Sequence, residues 1–528
     1  MVLSRARRLL LPLLISMACS LILSGCVPQQ ARRSFSRWPT LSKGERSGAM
    51  GKAQTLKAHL RNGDVLIFDE WDLDRSLELV EGHARHLDAD RRLVSEGNFT
   101  VAADTVAIFE TDGVSASANS SFLVGFTIAS VGVSVYCLAN PKACFGSCPT
   151  FYLHGDDGWH LVAEGFSASV APSLESRDVD ALGRSRSGRH DIELRMTNEA
   201  YETHMVRGAA LLVFPTHGDT RVGQLPSGRF REIRELSPPL VAADERGDIL
   251  PRVRDTDGDE WWSAADSTDL QSCEELVFDF EASEAGEFGL YVGARQSLLT
   301  TYLFYQALAY LGDSAPAWIA RLESGTLPTA QRPFEIGERL GGIEVLVPGR
   351  DEGWRSCGIL REPGPLAVDH GLVELGTLEA GRHRVRLRVN RGLWRIDRVA
   401  LARLGSEVRP TRIVPRRVER VVEGEAHEDA EALAALLADD RRLPSLPGDE
   451  YRIFYALPEG LDSVECFLES RGYYLEWMRN EWKAGKNPWF AAQMFVDPAG
   501  ALKRMAPEYK KIEPQMEGFF QRSRFARP

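Results

Sequence analysis

Short runs of alternating apolar and polar residues recur along most of this 528-residue chain. Runs of this kind, bounded by glycine, aspartate and asparagine, are typical of half-buried β-strands. They predict a small β unit over 56–112, a β domain over 141–240 and a larger β unit over 241–410. The fold class is therefore expected to be mainly β and multidomain.

Two regions depart from the alternating pattern. Residues 297–311 are apolar on nearly all faces, which predicts a buried helix inserted into the unit over 241–410. Residues 411–528 combine an Ala/Glu/Leu-rich helical stretch at 425–439, alternating strands, and an aromatic-rich stretch from Tyr473 onward that reads as helix. This last region is expected to be α+β.

The segment over 113–140 carries no charged residue and is mostly apolar from Phe122 to Ala139. A run of about 18 apolar residues is long enough to cross a bilayer core. Serine and threonine residues dilute it, however, and its flanking charges would place the C-terminal part in the cytoplasm. A buried or domain-bridging helix is favoured, and a second membrane contact through 120–139 stays as an alternative.

The N-terminus has the three parts of an export signal, which are a basic start, an apolar run and small residues before a cleavage site. The motif Leu23-Ser24-Gly25-Cys26 resembles the lipobox of bacterial lipoproteins. The resemblance implies that residues 1–25 are removed and that Cys26 is lipidated, so the membrane is a partner through the N-terminal lipid. Val27 after the cysteine resembles the class sorted to the outer membrane.

The formal net charge of −12 narrows the choice of partners. The signal contains arginines and no acid, so its removal leaves a still more acidic chain. An acidic surface argues against nucleic-acid binding and against docking on anionic lipid headgroups. Residues 26–55 are polar and lack periodicity, which predicts a flexible tether between the membrane and the first β unit.

Six cysteines remain after Cys19 is removed and Cys26 is lipidated. These are Cys137, Cys144, Cys148, Cys273, Cys357 and Cys466. Exported proteins sit where disulfides persist, and we expect one bridge within 137–148, with its pairing open. The Cys144–Cys148 spacing is one residue longer than that of a redox pair, which favours a structural role. The run Gly146-Ser147-Cys148-Pro149 resembles a group of uncharacterised bacterial envelope proteins, which implies location but no activity.

The stretch from Arg384 to Leu401 resembles the closing strands of galactose-binding-like β-sandwiches, the jelly-roll architecture of many carbohydrate-binding modules. The resemblance implies a sugar site in which an aromatic ring stacks on the ligand, and Trp394, Arg395 and Asp397 are its candidates. Many such modules have asparagine at the position of Arg395, which puts sugar binding in doubt. In the alternative interpretation, Trp394 packs in the core and Asp397 ties a loop.

An acidic stretch resembles the start of a calcium-binding loop. Its candidate ligands, at loop positions 1, 3, 5 and 12, are Asp255, Asp257, Asp259 and Asp266. Glu260 occupies the position at which such a loop needs glycine, and no helix is predicted before it. A solvated turn is the alternative, and no cofactor other than Ca²⁺ is expected.

Short catalytic motifs are missing from the sequence. It has no Gly-x-Ser-x-Gly elbow, no P-loop, no dinucleotide fingerprint and no His-Glu-x-x-His. We therefore expect a lipid-anchored envelope protein with a binding or structural role, whose partners are envelope proteins or cell-wall glycan. An envelope hydrolase that uses paired carboxylates, and an assembly or transport factor, are the alternatives.

Overall fold

The computed structural model describes most of the chain from residue 29 onward. The described residues are 29–36, 56–60, 62, 64–88, 93–116, 148–155, 158–167, 169, 174–186, 191–198, 202–311, 339–349, 353–361, 364–422, 424–458, 463–476 and 487–523. They belong to two compact units, the first holding those up to residue 116 and the second those from residue 148 onward.

The first unit is a six-stranded antiparallel sheet. Its strands are β1 (Gln29–Ser36), β2 (Leu56–Leu60), β3 (Val65–Asp74), β4 (Leu79–Leu87), β5 (Leu93–Ala102) and β6 (Val106–Ala116). They lie in the order β1-β6-β2-β3-β4-β5. The alternation of the sequence gives this sheet one buried face, with Phe68, Trp71 and Phe109 among its core residues. Gly82 is required where β4 crosses β3, because a Cβ there would lie 1.9 Å from the carbonyl oxygen of Glu70.

The second unit begins with five strands, continues through a long middle stretch, and ends with strands and helices. The first stretch holds β7 (Thr150–Gly155), β8 (Gly158–Glu164), β9 (Ser176–Arg186), β10 (Asp191–Thr197) and β11 (Glu202–Pro215). The middle stretch holds β12 (Arg221–Gln224), β13 (Phe230–Ser237), β14 (Val241–Asp244), β15 (Gly247–Asp248), α1 (Leu250–Val253), β16 (Trp261–Trp262), β17 (Cys273–Ala282), β18 (Gly286–Gln296), α2 (Leu299–Leu311), β19 (Ile343–Pro348), β20 (Trp354–Leu360), β21 (Asp369–Leu378), β22 (Gly381–Asn390) and β23 (Trp394–Val408). The last stretch holds β24 (Thr411–Ile413), β25 (Arg417–Val422), β26 (Glu425–Glu428), α3 (Ala430–Leu437), β27 (Leu443–Ser445), β28 (Glu450–Ala456), β29 (Ser463–Glu476), α4 (Pro488–Val496) and α5 (Pro498–Ser523).

The first and last stretches together form one β-sandwich. One sheet has the order β26-β25-β28-β10-β7-β8, and the other has the order β24-β11-β29-β9, with β27 also paired to β11. The buried residues between the sheets, such as Leu194, Leu211, Ile453 and Leu468, come from both stretches. Neither stretch could bury its apolar face alone, so this sandwich closes only after the whole middle stretch has been made.

The middle stretch forms a second β-sandwich. Its sheets have the orders β13-β12-β21-β18-β23-β16 and β15-β14-β17-β22-β19-β20. On β17 the buried residues Leu276, Phe278 and Phe280 alternate with residues on the outer face, as the period of a strand requires. On that outer face Asp279 pairs with Arg384 of β22.

The two sandwiches share a packed junction. Phe214 and Phe467 of the first sandwich contact Phe230 of the second, with ring centroids 4.7 and 5.1 Å from Phe230. Beside this apolar contact, the Arg221 guanidinium donates to both carboxylate oxygens of Glu465, at 2.7 and 2.8 Å. At this point the sandwiches of the second unit are therefore joined by apolar packing together with a bidentate ion pair.

The mainly β, multidomain prediction is confirmed, whereas several boundaries differ from those expected. The predicted tether over 26–55 contains a strand, β1, which pairs along its whole length with β6. The regions over 141–240 and 411–528 share sheets instead of forming separate domains. The stretch at 425–439 divides into β26 and α3, and Tyr473 lies in β29 rather than in a helix. Long-range strand pairing decided each of these points.

Most of the segment over 113–140 lies outside the described residues, and so does the proposed membrane contact at 120–139. Within the part of the chain that is described, no helix has the length and apolar character needed to cross a membrane.

Candidate functional site

The three residues predicted to hold a ligand lie at the start of β23, inside the second sandwich. Trp394, Arg395 and Asp397 are each only 1–2 % exposed. Their strand is covered by β18 on one side and by β16 on the other. The Trp394 ring therefore has no open face on which a sugar could stack, and its surroundings are those of the core.

Arg395 belongs to a buried network of charges. Directly opposite it on β18 is Arg295, whose Nε and Nη2 donate to the two carboxylate oxygens of Glu260 at 2.6 and 2.9 Å. Arg395 donates to Glu260 at 3.4 Å and to Glu517 of helix α5, and its guanidinium lies 5.1 Å from the ring centroid of Trp262. Two arginines thus face two glutamates, and the charges balance.

This network attaches the helical layer to the sandwich. Beside Glu517, the Glu513 carboxylate accepts a hydrogen bond from the backbone N–H of Ala265 at 2.5 Å, and Lys510 donates to the Ala265 carbonyl at 2.8 Å. Both glutamates point inward from α5 although they carry charge. Paired arginines and backbone donors offset the cost of burying these carboxylates.

Tyrosine side chains join the helices to one another. Tyr302 of α2 and Tyr509 of α5 have ring centroids 5.0 Å apart, and the Tyr310 hydroxyl donates to Glu508 of α5 at 3.0 Å. Phe490 of α4 meets the Tyr310 ring edge-to-face at 4.8 Å. Burial raises the pKa of all three tyrosines, so their hydroxyls stay protonated in this layer.

The aspartates of the calcium candidate act singly. Asp257 accepts from the N–H of Asp259 at 2.9 Å, and Asp266 accepts from the hydroxyl and N–H of Thr268, which lowers the pKa of Asp266. The carboxylate oxygen Oδ2 of Asp255 lies 3.8 Å from Nε of Arg254. The described residues contain no group of three His, Cys, Asp or Glu side chains arranged for a metal ion. These are the bonds of surface turns, the alternative that the sequence left open.

Glu260 and Asp397 serve other purposes than calcium or sugar binding. Glu260, at the position where a calcium loop needs glycine, is the centre of the buried ion network. Asp397 accepts from the backbone N–H of Gly258 at 2.9 Å and so ties the aspartate-rich turn to β23. The two sequence-predicted sites are therefore adjacent parts of one structural joint.

No disulfide is present among the cysteines that the structure describes, Cys148, Cys273, Cys357 and Cys466. Cys148 is buried, and its thiol donates to the Glu164 carboxylate at 3.4 Å. Cys137 and Cys144 lie outside the described residues, so the bridge expected within 137–148 stays a prediction. Burial raises the pKa of the Cys466 thiol to about 12.

A group of carboxyls that sequence reasoning missed lies where the two sandwiches meet. Glu164 of β8 accepts from the N–H groups of Leu366 and Ala367 at 2.5 and 2.9 Å. Asp369 of β21 accepts from the N–H of Ala181 at 3.1 Å. Asp180 of β9 is 7 % exposed and stands among these acids. Carboxylate–backbone hydrogen bonds thus connect the edge of the first sandwich to the second.

Enclosure changes how two of these acids titrate, and Asp180 is affected by its acidic neighbours as well. Burial, followed by repulsion from Asp178, Asp369 and Glu164, raises the pKa of Asp180 well above its usual range. Burial also raises the pKa of Asp369. The neighbouring His370 stacks on Tyr291 at 5.2 Å, and burial, together with Arg221 and Arg398, lowers its pKa to about 4. The junction therefore holds carboxyls whose pKa is raised beside a histidine that is neutral near neutral pH.

No short motif marks this carboxyl group. Glu164, Asp180 and Asp369 are separated by 16 and 189 positions along the chain. Each lies in an ordinary strand-forming context, and only the meeting of β8, β9 and β21 assembles them. A pattern search along one sequence has no signal from which to predict such a cluster.

No protein-family model matches this sequence, and no curated protein matches it. The α-xylosidase of glycoside hydrolase family 31 from Xanthomonas citri is 9 % identical, with a TM-score of 0.15 over 84 % of this chain and 38 % of that one. The chain thus spans well under half of that enzyme's length. The VP2 subviral particle of infectious bursal disease virus is 7 % identical, with a TM-score of 0.14 over 94 % of each chain. TM-scores this low carry no argument about fold or function.

Proposed function

We propose that this chain is a lipid-anchored protein of the bacterial cell envelope, bound to the outer membrane through Cys26, with a binding or structural role. The observation that carries the proposal is the sequence around Cys26, in which a basic start, an apolar run and Leu23-Ser24-Gly25 precede the cysteine. Two packed sandwiches with a helical layer are a suitable architecture for presenting surfaces to other envelope components.

The residues expected to bind a ligand make contacts within the protein. Asp397 joins β23 to the aspartate-rich turn and Arg395 joins it to helix α5, while Trp394 is buried. Their polar atoms face other parts of the same chain. A binding function would then belong to the outer surfaces of the sheets and helices.

Membrane fractionation tests the anchor. We expect the native protein to sediment with outer membranes, and its N-terminal peptide to carry acyl chains by mass spectrometry. Cys26→Ser should release the protein or retain it as an unprocessed precursor without acyl chains. Cys19→Ser is the matched control, because that cysteine lies within the predicted signal and should leave acylation unchanged. A native protein without acyl chains on Cys26 would contradict the proposal.

Isolated cell-wall sacculi separate the two proposed kinds of partner. Sedimentation of the purified protein with sacculi, without release of soluble fragments, would favour cell-wall glycan. Lack of sedimentation, combined with crosslinks to envelope proteins in cells, would favour a protein partner.

The hydrolase alternative has one specific observation in its favour, the raised pKa of both Asp180 and Asp369. A carboxylic acid with a raised pKa is what a glycosidase uses to protonate its leaving group. Asp180 is 7 % exposed, so substrate would have to reach an enclosed carboxyl. Release of soluble glycan that is lost in both Asp180→Asn and Asp369→Asn would establish this alternative, whereas fragments released equally by both variants would exclude these acids as its catalysts.

A further inference from the structure

Helix α4 carries an apolar stripe on the face turned away from the protein. Trp489 is 82 % exposed and Val496 is 86 % exposed, and Ala492 between them is exposed as well. Residues with these spacings lie on one face of a helix. Among the described residues, Trp489 and Val496 are the most exposed of the large hydrophobic side chains.

The opposite face of α4 already has its partners. Phe490, Ala491 and Met494 are buried, and Phe490 packs against Tyr310 of α2. Helix α4 has no charged residue from Pro488 to Val496. The core therefore needs only one face of this helix, and the outer stripe is not explained by packing within the described part of the chain.

The surface next to the stripe is basic although the whole chain is acidic. Helix α5 exposes Lys503, Arg504 and Lys511, and Arg504 donates to Gln493 of α4. Glu513 and Glu517 of the same helix are turned toward the sandwich, where they bind Ala265 and Arg395. Among the described side chains of α5, Glu508 is the one exposed acid, and Lys503 lies 3.7 Å from Asp269. Exposed bases therefore still outnumber exposed acids on this helix, although the net charge of the chain is −12.

We propose that the outer stripe of α4, with the basic residues of α5 beside it, contacts the phospholipid headgroup layer of the membrane that holds the lipid anchor. This inference rests on the proposed function. Tryptophan suits the interface because its ring is apolar and its indole N–H is polar. Basic side chains beside an apolar helix face are the pattern of helices that lie on anionic lipid. The anchor strengthens a weak contact of this kind by keeping the protein close to the membrane.

Three features favour lipid over other occupants. A stable interface between two copies buries about 1,000 Å² or more, and two large side chains on a nine-residue helix offer little of that. A sugar site would need polar side chains that converge on the aromatic ring, but the exposed residues that follow Trp489 are Ala492 and Val496, and the side-chain oxygen of the nearby Gln493 accepts from Arg504. The lysines and arginine of α5 complement phosphate groups.

Vesicle sedimentation tests the contact without the anchor. The chain from residue 27 onward, which keeps both units, is mixed with vesicles of phosphatidylethanolamine and phosphatidylglycerol, and separately with phosphatidylcholine alone. We expect binding to the anionic vesicles and weaker binding to phosphatidylcholine. Trp489→Ser with Val496→Ser should lower the partition coefficient by about tenfold or more, since two apolar side chains no longer enter the interface. Arg504→Glu with Lys511→Glu should remove the preference for anionic lipid.

The pair Leu240→Ser with Val241→Ser is the matched control, because both residues are large, apolar and 48 % exposed elsewhere on the same unit. This control should bind vesicles as the unaltered chain does. All variants should have the same melting temperature as the unaltered chain. Equal vesicle binding by the α4 variant and the control would overturn the lipid contact. Self-association or capture of a protein partner that is lost in the α4 variant, without vesicle binding, would overturn it in favour of a protein interface. An unacylated Cys26 in cells would instead refute the proposed function and leave the vesicle result unaffected.

Discussion

The second unit buries charge-bearing side chains in two places and stabilises them in opposite ways. At the end of the second sandwich, Arg295 and Arg395 face Glu260 and Glu517, so opposite charges balance. At the junction of the sandwiches, Asp180 and Asp369 lie together, and burial raises the pKa of both. At the junction a raised pKa takes the place that a counter-charge has in the arginine network. The first site should be sensitive to the loss of a partner, and the second to pH.

Removing one arginine from the balanced network should have the largest effect. Arg295→Met leaves Glu260, which is 5 % exposed, without its bidentate partner. Loss of one partner of a buried pair costs roughly 3–5 kcal/mol, which corresponds to a fall in melting temperature of roughly 5–10 °C. Calorimetry at neutral pH measures this change.

Arg384→Met is the control for that measurement. Arg384 also makes a bidentate pair, with Asp279 at 2.7 and 3.0 Å, but its side chain is 58 % exposed. Exposed ion pairs contribute little to stability, so the melting temperature should hardly move. Equal losses in the two variants would mean that burial is not what makes the Arg295 pair important.

The second prediction concerns the carboxyl group at the junction. The pKa of Asp180 is higher in the folded state than in the unfolded chain. Stability from this group is therefore complete at acid pH and is lost as pH rises from the ordinary aspartate range through the raised pKa. Asp180→Asn removes this loss, so we expect the variant to melt several degrees above the native protein at pH 8, with the gap closing as the pH approaches 4.

Asp219→Asn serves as the control, because its side chain is fully exposed. It should give the same melting temperature as the native protein across that pH range. The contrary result is a variant whose melting temperature, measured against that of the native protein, falls between pH 4 and pH 8. That result would show that Asp180 is charged in the folded state.

The smallest expected effect belongs to His370, whose pKa lies at about 4 in the folded protein. The unfolded chain takes up a proton near pH 6.5, so this group costs stability as pH falls from about 6.5 to 4. His370→Phe keeps a ring to stack on Tyr291 and cannot titrate. It should be more stable than native protein at pH 4.5, by up to about 2 kcal/mol, and similar to it at pH 7.5.

Chemical denaturation at both pH values checks this difference. His217→Asn, at an exposed histidine, is the control and should show no such gain at low pH. In the interval between pH 4 and 6.5, Asp180 and His370 change the free energy of unfolding with pH in opposite directions. Rising pH lowers it through Asp180 and raises it through His370. Above pH 6.5 His370 no longer contributes to the pH dependence of stability, so measurements there are free of its opposing effect.

The candidate site was predictable in part. The sequence singled out Arg395, Asp397 and the aspartate-rich turn, and the structure does bring these residues together. It did not indicate that their partners would be Glu260 and Glu517, because Glu517 lies 122 positions from Arg395 along the chain. The sequence shows which positions carry charged side chains. Only the packing of α5 against the sandwich decided that these side chains are buried and paired with opposite charges.

The sequence alone determined the features that depend on near neighbours. These are the pattern that predicts a signal before Cys26, the strand periodicity that makes the protein mainly β, and the absence of short catalytic motifs. Tertiary structure decided which strands share a sheet, so that β10 meets β28 and β11 meets β29 across more than 240 positions. It also decided which charges lie inside and which face of α4 stays uncovered. Burial is a property of the whole fold, because the residues that enclose a side chain come from distant parts of the sequence.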